Sequence, residues 1–475
     1  MSFIDFHCHP SMKPYGRSFS SQIGRNSEDP QHVNSSWHYD APNLFDRGLQ
    51  LLCGISKFTQ ADFTTLAFGD VRIIFASLYP VERDFFRNKL GQAVVSDLVN
   101  DFITGVGKPR VDNIQNQNNY FQDLELEYDF YKQLNNVQVT TYSGDFKYVI
   151  ASSYSQIQRC RETDPLRDNI IFVVPTIEGL HSLNENLSEE PHEEQFLANL
   201  LKVKTWEFAP AFVTFSHHFY NHLCGHAKSL TGIVGKATDQ RDGMNTGFTA
   251  LGKSVLRELL SESNGRRIPI DIKHMSPQGR KEYFQILKSD YAGQDIPIIV
   301  SHGAANGMKS MDDPTIESPT GMKFLHEDIN FYDDEILEIA RTKGIFALQL
   351  DERRIANTQT LKAVKHSLFM NKIRHYRAEL VWFQIQYIAE LLDKNNLPAW
   401  DAIAIGSDYE GIINPLNGYL TAETMAHLEE YTERHAHNYL QSAGKNLKPL
   451  NQINADEIVN RVFHTNGLDF LRKFY

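Results

Sequence analysis

The chain is 475 residues long, with 41% hydrophobic and 11% aromatic residues and a formal net charge of −12. This is the composition of a globular protein with a large core, and the absence of a long basic run argues against nucleic acid and anionic membrane surfaces as partners. Cys8, Cys53, Cys160 and Cys224 form no C-x-x-C pair, so zinc-ribbon and thioredoxin-type motifs are excluded and free thiols are expected.

Phe3 to Phe6 reads as a short buried strand that runs directly into His7 and His9. Residues two apart on a strand share a face, so both imidazoles can reach one metal ion while Cys8 points away. No basic segment followed by an apolar run precedes this strand, and no window approaches ~18 consecutive apolar residues. A cytoplasmic location is the expectation. Pro10 to about Asp70 is polar and reads as a functional lid or a disordered segment, with His32 and His38 solvated. Val71–Tyr79 is the second strand. Residues 81–135 look helical, for example around Asp97 and Tyr120, and Lys147–Ala151 is a short strand.

Six further strands follow, each a short apolar run, and five of them meet a His, Glu or Asp at the C-terminal end. Ile170–Ile177 ends at Glu178, and Ala211–Phe215 ends at His217 and His218. Ile268–Lys273 ends at His274, Ile296–Val300 at His302, and Gly344–Gln349 follows a helix for which Gly344 is the expected C-cap. After an amphipathic helix over Leu380–Leu392, Ala402–Ile405 ends at Asp408. A final helix opens with Asn454 and Glu457, close to a capping box, and carries Ile458, Val459, Val462 and Phe463 on one face.

Strands and helices alternate, and most strands lack polar alternation, as in a parallel sheet covered on both faces. The expected fold is a (β/α)8 TIM-type barrel, one domain over residues 1–475, with insertions at about 10–70, 80–145 and 303–333. Barrel active sites lie at the C-terminal ends of the strands. His7, His9, Glu178, His217, His274, His302 and Asp408 all fall there, far apart in the chain, so only closure of the barrel brings them together.

Several of these segments resemble the membrane (renal-type) dipeptidases, binuclear zinc peptidases of the amidohydrolase superfamily. Ile177-Glu-Gly-Leu-His-Ser182 is similar to their Ile-Glu-Gly-Gly-His-Ser, and Phe212-Val-Thr-Phe-Ser-His217 with Asn221 to their Leu-Thr-His segment. Asp271-Ile-Lys-His-Met-Ser276 resembles Asp-Leu-Ser-His-Val-Ser, and Val300-Ser-His-Gly-Ala304 resembles Phe-Ser-His-Ser-Ser. Ile405-Gly-Ser-Asp-Tyr-Glu-Gly411 resembles Gly-Gly-Asp-Phe-Asp-Gly, and Val459-Asn-Arg-Val-Phe463 resembles their closing helix. The segments keep the family's order from residue 3 to 463.

The resemblance implies two divalent metal ions, zinc by family, and a set of roles. His7 and the residue at position 9 bind the first metal, Glu178 bridges both, and His274 and His302 bind the second. His217 faces the substrate, and Asp408 shuttles a proton for a metal-bridging hydroxide that attacks a peptide or amide carbonyl. Two departures stand out. The family has Asp where this chain has His9, a His-x-His pattern of the wider superfamily. The family's carboxylate-gripping Arg is absent, leaving Lys309 as the substitute, without the planar fork that pairs with a carboxylate.

Plainer readings accompany these. His274 and His302 can be hydrogen-bonded core histidines, Asp408 a turn cap, and His218 can replace His217 at the pocket. His218, His222 and His226 have helical spacing and invite a third metal site, or line the rim. The leading function is a metal-dependent hydrolase of a C–N bond in a small substrate such as a dipeptide. The alternatives are a lactone, ester or phosphoester hydrolase with the same centre, or a non-catalytic binding protein on this fold. A homo-oligomer is compatible with the sequence.

Overall fold

In the computed structural model, which describes residues 2–43, 46–47, 57–86, 105–231, 235–236, 238–364, 367 and 369–475, the apolar runs form ten strands. They are β1 (Phe3–Cys8), β2 (Val71–Leu78), β3 (Val139–Thr141), β4 (Gly144–Ile150), β5 (Ile170–Glu178), β6 (Val213–Thr214), β7 (Ile270–Asp271), β8 (Ile299–Gly303), β9 (Ile345–Leu348) and β10 (Ile403–Ile405). Eight of them follow one another in the order β1-β2-β5-β6-β7-β8-β9-β10, every pair parallel. The sheet closes between its ends: the Asp408 N–H donates to the His7 carbonyl at 2.8 Å and the His9 N–H to the Tyr409 carbonyl at 2.9 Å. This is the expected (β/α)8 barrel. β4 adds to the edge of β5, and β3 pairs antiparallel with β4.

Two apolar compartments result. One lies between the strands and the surrounding helices and includes Cys8, Val71, Ile171, Leu259, Ile385 and Phe463. The other fills the barrel itself. There Phe6 meets Phe75 at 3.9 Å between ring centroids with the rings tilted by 30°, and stacks on Phe212, just before β6, at 5.5 Å. The C-terminal helix Asn466–Phe474 closes this compartment from below, with Phe470 edge-on to Phe6 at 5.1 Å. The lower barrel is therefore solid, and the polar residues gather above it.

Strict alternation along β1 would send Phe6 and His7 to opposite faces. A register shift between Asp5 and Cys8 breaks the alternation, so Phe6 fills the barrel and His7 joins the polar cluster above it. β8 carries a second shift between Val300 and Gly303, next to His302. Such irregularities re-aim side chains beside active sites.

The structure differs from the sequence reading in several elements. The described residues of the stretch after His9 are packed into the fold: they include the helices Met12–Ser18 and Phe63–Phe68 and bury Trp37, Phe58 and Phe63 fully. Its buried Lys13 pairs with Glu410, just past β10, at 2.5 Å. His32 is exposed but His38 is half-buried. Helices occupy Lys108–Asn116 and Tyr120–Gln133, whereas the helical reading around Asp97 lies outside the described residues. The helix before β9 ends with Lys343, not Gly344, in the left-handed conformation. Gly344 is required for a different reason: a Cβ there would stand 1.9 Å from the Ile298 carbonyl oxygen. The amphipathic helix is longer than its apolar pattern, spanning Met370–Lys394. Cys8, Cys160 and Cys224 are free thiols, and Cys53 lies outside the described residues. Among the described residues no helix is long and apolar enough to cross a membrane.

Removing the Phe470 ring should leave a void at the foot of the barrel. Phe470→Ala is expected to lower stability by about 3–5 kcal/mol, measured as a shift of the denaturant midpoint. An unchanged midpoint would remove its role as the closing plug.

Candidate metal centre

Every residue singled out at a strand end faces one buried cluster, and Glu178 is at its centre. Glu178 is the last residue of β5 and is 3% exposed. Its Oε1 lies 3.5 Å from the Nε2 of His7, 3.5 Å from that of His217, 3.6 Å from that of His274 and 3.5 Å from that of His302. Its Oε2 lies 3.1 Å from the His9 Nε2. The chain can turn directly after Glu178 because Gly179 has φ +87°, and a Cβ there would collide with the His181 ring. Burial alone would raise the Glu178 carboxyl, but the surrounding imidazoles, His217 and His7 foremost, hold it well below the usual carboxylate range.

The ring nitrogens turned away from the cluster set what the inner nitrogens present. His9 Nδ1 lies 3.1 Å from the Ser77 carbonyl, which only accepts, so Nδ1 carries the proton. His302 Nδ1 bonds Ser301 Oγ at 2.9 Å, and that hydroxyl donates to Asp271 Oδ2 at 2.6 Å, so this Nδ1 is also the donor. In neutral His9 and His302 the Nε2 atoms are thus bare lone pairs aimed at one another's neighbours and at a carboxylate. The inner nitrogens of His7 and His9 are 3.1 Å apart, and those of His274 and His302 are 3.3 Å apart.

Donors bound ~2.0–2.1 Å from one tetrahedral ion stand about 3.3 Å from each other. The spacings within the cluster are of this size. Like-polarity lone pairs at such distances repel unless a cation lies between them, so the donor set fits divalent metal. The electrostatics agree. Burial pushes His9 down, yet hydrogen bonds to Asp408 and Glu178 outweigh it and raise the imidazole to about 10. That field asks for positive charge at Nε2, from a proton or a metal. Burial, and then the charge of neighbouring imidazoles, keeps His274 and His302 well below their ordinary values.

The donors group as His7–Glu178–His302, His7–His9–Asp408 and His217–His218–His274. His302 therefore stands with His7, and its ring lies 3.9 Å from the His7 ring. The division of the motif order, His7 with His9 and His274 with His302, is less sharp in space than in sequence. Asp408, left-handed at φ +60°, approaches His9 Nε2 at 3.6 Å with Oδ1, while Oδ2 accepts from Gln349 Nε2 at 2.6 Å.

His217 rather than His218 faces Glu178, and a residue outside the strand-end list sets its orientation. Glu82, buried just beyond β2, accepts from His217 Nδ1 at 2.9 Å, the His218 N–H at 3.1 Å and the Tyr79 hydroxyl at 2.5 Å. Burial would lower His217, but Glu82 and then Glu178 raise it. The same rule, a polar residue following a strand, applies to Glu82 and to Gln349, which directly follows β9. The reading of His218, His222 and His226 as a helix face is corrected. They lie in a loop, where His222 is exposed with φ +62° and His226 is buried against the carbonyls of Ala227 and Asp242. Helical spacing had no helix beneath it.

Lys309, the expected carboxylate grip, is also corrected. It is exposed and paired with Glu317 at 2.7 Å, away from the cavity. The cavity over the cluster is lined instead by Lys273, Arg353 and Arg354, together with Tyr79, His218 and Ile412. Burial, then Arg354, pushes the Lys273 ammonium down to about 7.

Two buried carboxylates support the candidate donors from behind in the same way. Asp5 accepts from the N–H of His7 and of Ser407 and from the Ser407 hydroxyl. Asp271 accepts from the N–H of Lys273 and of Ser301 and from the hydroxyls of Ser301 and Thr214. Each ties the backbone of one ligand-bearing strand end to the next. Asp271→Asn should disturb the Ser301–His302 relay and weaken metal retention by about 10- to 100-fold. Metal content after dialysis against graded chelator measures this, and wild-type retention would exclude the relay.

No family model and no curated protein matches the sequence. Solved structures do match. A metallopeptidase described as dipeptidase AC aligns with a TM-score of 0.54 and 11% identity over 100% of this chain and 99% of its own. A Rhodobacter sphaeroides metallopeptidase liganded with a phosphinate mimic of the dipeptide L-Ala-D-Ala gives 0.51 and 12% over 100% and 99%. The probable dipeptidase PvdM from Pseudomonas aeruginosa gives 0.50 and 12% over 88% and 90%. At such identities the likeness is one of fold: along its whole length the chain has the barrel fold of solved metallo-dipeptidases.

Proposed function

We propose that this protein is a metal-dependent hydrolase that cleaves a C–N bond in a small peptide or amide. The observation that carries the reading is the convergence of five imidazole nitrogens on the two oxygens of buried Glu178. His7, His9, His274 and His302 would hold two divalent cations with Glu178 shared between them. Imidazole and carboxylate donors favour zinc. Such ions supply Lewis acidity and lower the pKa of water towards neutrality. His9 in place of a carboxylate makes one end of the centre less negative than in the dipeptidases it resembles.

The remaining residues have assignable work. Gln349 holds one oxygen of Asp408, leaving Oδ1 turned to the cluster to take a proton from the attacking water and return it to the leaving amine. Glu82 fixes His217 by its Nδ1, so that protonated Nε2 can donate to the carbonyl oxygen as negative charge develops there. Phe85, Leu230, Ile412 and Ile413 wall the mouth and limit water. The cavity measures about 70 Å³, below the ~300–1,000 Å³ of sites for drug-sized ligands. A small substrate suits it better than a folded chain.

Elemental analysis should find about two zinc or similar ions per chain, and less than one would sink the two-metal centre. Glu178→Gln should lose at least one ion and most activity. Asp408→Asn should keep both ions while turnover drops by about 10²- to 10⁴-fold. A panel of dipeptides, N-acyl amino acids, lactones and phosphoesters decides the bond. Turnover confined to lactones or phosphoesters would replace the C–N assignment, and a metal-loaded protein inert on the whole panel would favour a binding role.

A further inference from the structure

The segment that carries Asp408 is strained. Asp408, Glu410 and Ile412 all hold left-handed backbone, at φ +60°, +71° and +62°. L side chains disfavour that region, a β-branched one most of all. Three such residues within five persist only where the surroundings over-determine them. Gly411 sits among them because a Cβ there would stand 2.0 Å from Asp408 Oδ1, the oxygen turned to the cluster. The place of that carboxylate and the path of residues 408–412 are therefore a single conformation.

β1 holds the first half of this path, through the bonds of the Asp408 N–H and the Tyr409 carbonyl. The second half is held by Gln60, from the segment between β1 and β2. Gln60 is 2% exposed and directs all four of its polar groups to the chain after β10. Its N–H donates to Glu410 Oε1 at 2.5 Å, and its Oε1 accepts the Glu410 N–H at 2.9 Å. Its Nε2 donates to the Leu420 carbonyl at 3.1 Å, and its carbonyl accepts the Ala422 N–H at 2.9 Å. The first two bonds are reciprocal, so they fix the backbone and the side chain of Glu410 together. Lys13 takes the other Glu410 oxygen and also donates to the carbonyl of Phe58, two residues before Gln60. Lys13 and Gln60 both belong to the insertion at about 10–70, outside the segments that resemble the dipeptidases.

We infer that Gln60 is a positioning residue for Asp408: by clamping Glu410 it holds the left-handed path that aims the Asp408 carboxylate at the cluster. The inference rests on the proposed hydrolase function, in which Asp408 moves the proton. Gln60 does not line the cavity over the cluster, so it acts through Glu410 and the backbone. Released from the clamp, the segment would relax towards ordinary φ angles, and Asp408 Oδ1, 3.6 Å from His9 Nε2, would swing away. Proton transfer needs hydrogen-bond reach, so a displaced carboxylate loses rate. Ile412, the cavity wall beyond Glu410, is held separately by an apolar compartment that includes Met12, Tyr79 and Phe85, so substrate binding is less affected.

Gln60→Met keeps the length of the side chain and removes both of its side-chain hydrogen bonds. With metal content unchanged, kcat should fall by about tenfold or more while KM stays within about twofold. In an Asp408→Asn background the same substitution should cost little further rate, because a residue that acts through Asp408 has nothing left to position. A wild-type kcat in Gln60→Met, or an equal loss in both backgrounds, overturns the inference. Gln60→Asn, too short to reach the Glu410 N–H and the Leu420 carbonyl together, serves if Gln60→Met does not fold and should show the same loss. Site-resolved hydrogen exchange reads the clamp without turnover. In the variant the Asp408 and Gly411 amides, bonded to the carbonyls of His7 and Asp408, should exchange faster by about tenfold or more, with β5 unchanged. Wild-type exchange at those two amides also overturns the inference. If the wild-type protein hydrolyses no substrate, the hydrolase function falls, and exchange alone decides whether Gln60 holds the Asp408 segment.

Discussion

The centre of this molecule depends on an electrostatic constraint: one fully enclosed carboxylate shared by five imidazoles. A buried carboxylate without compensation is strongly unfavourable, and Glu178 is compensated by residues at or just past the ends of β1, β7 and β8 and from the segment after β6. The barrel has to close for those groups to meet. Closure itself runs through the same residues, since the His7 carbonyl and the His9 N–H form the hydrogen bonds that join β1 to the segment after β10. Fold and site are therefore not separable layers here. The strand that completes the sheet is also the strand that brings two imidazoles to the cluster.

Much of this was legible in the sequence because barrel geometry turns a one-dimensional pattern into a ring. A short apolar run ending in His, Glu or Asp marks a strand whose last side chain reaches the rim, and His7, Glu178, His274, His302 and Asp408 all obey that rule. What escaped was set by long-range contact. Glu82 became a partner of His217 only once the loop after β2 folded over the loop after β6. Lys273 stood beside a recognised ligand, but a lysine in a sequence carries no sign of burial without a partner. Arg354 had no local signal. Lys309 failed for the opposite reason: it was the basic residue available in place of the missing Arg, but nearby Glu317 and Asp313 pair with it instead.

The strand irregularities show how local rules are broken for the site. Perfect alternation would have turned His7 and His302 away from Glu178, so β1 and β8 each shift register near their ends. Buried Asp5 and Asp271 take up the N–H groups those shifts leave over, together with the following Ser407 and Ser301. The two halves of the centre are thus supported by the same solution used twice, on strand pairs that are distant in the chain. His274 and Asp408 add left-handed backbone at φ +65° and +60°, a conformation uncommon for such residues and concentrated at functional sites.

The aromatic stack of Phe6, Phe75, Phe212 and Phe470 has a consequence for traffic. Among the described residues the lower barrel is filled, so under the proposed hydrolysis water, substrate, the released acid and the released amine would all pass the cavity mouth walled by residues after β2, β6 and β10. A product fragment that stays bound blocks the next molecule's approach. In the proposed hydrolysis the order in which the two fragments depart would be part of the catalytic cycle, with the fragment anchored more firmly to the walls the last to leave.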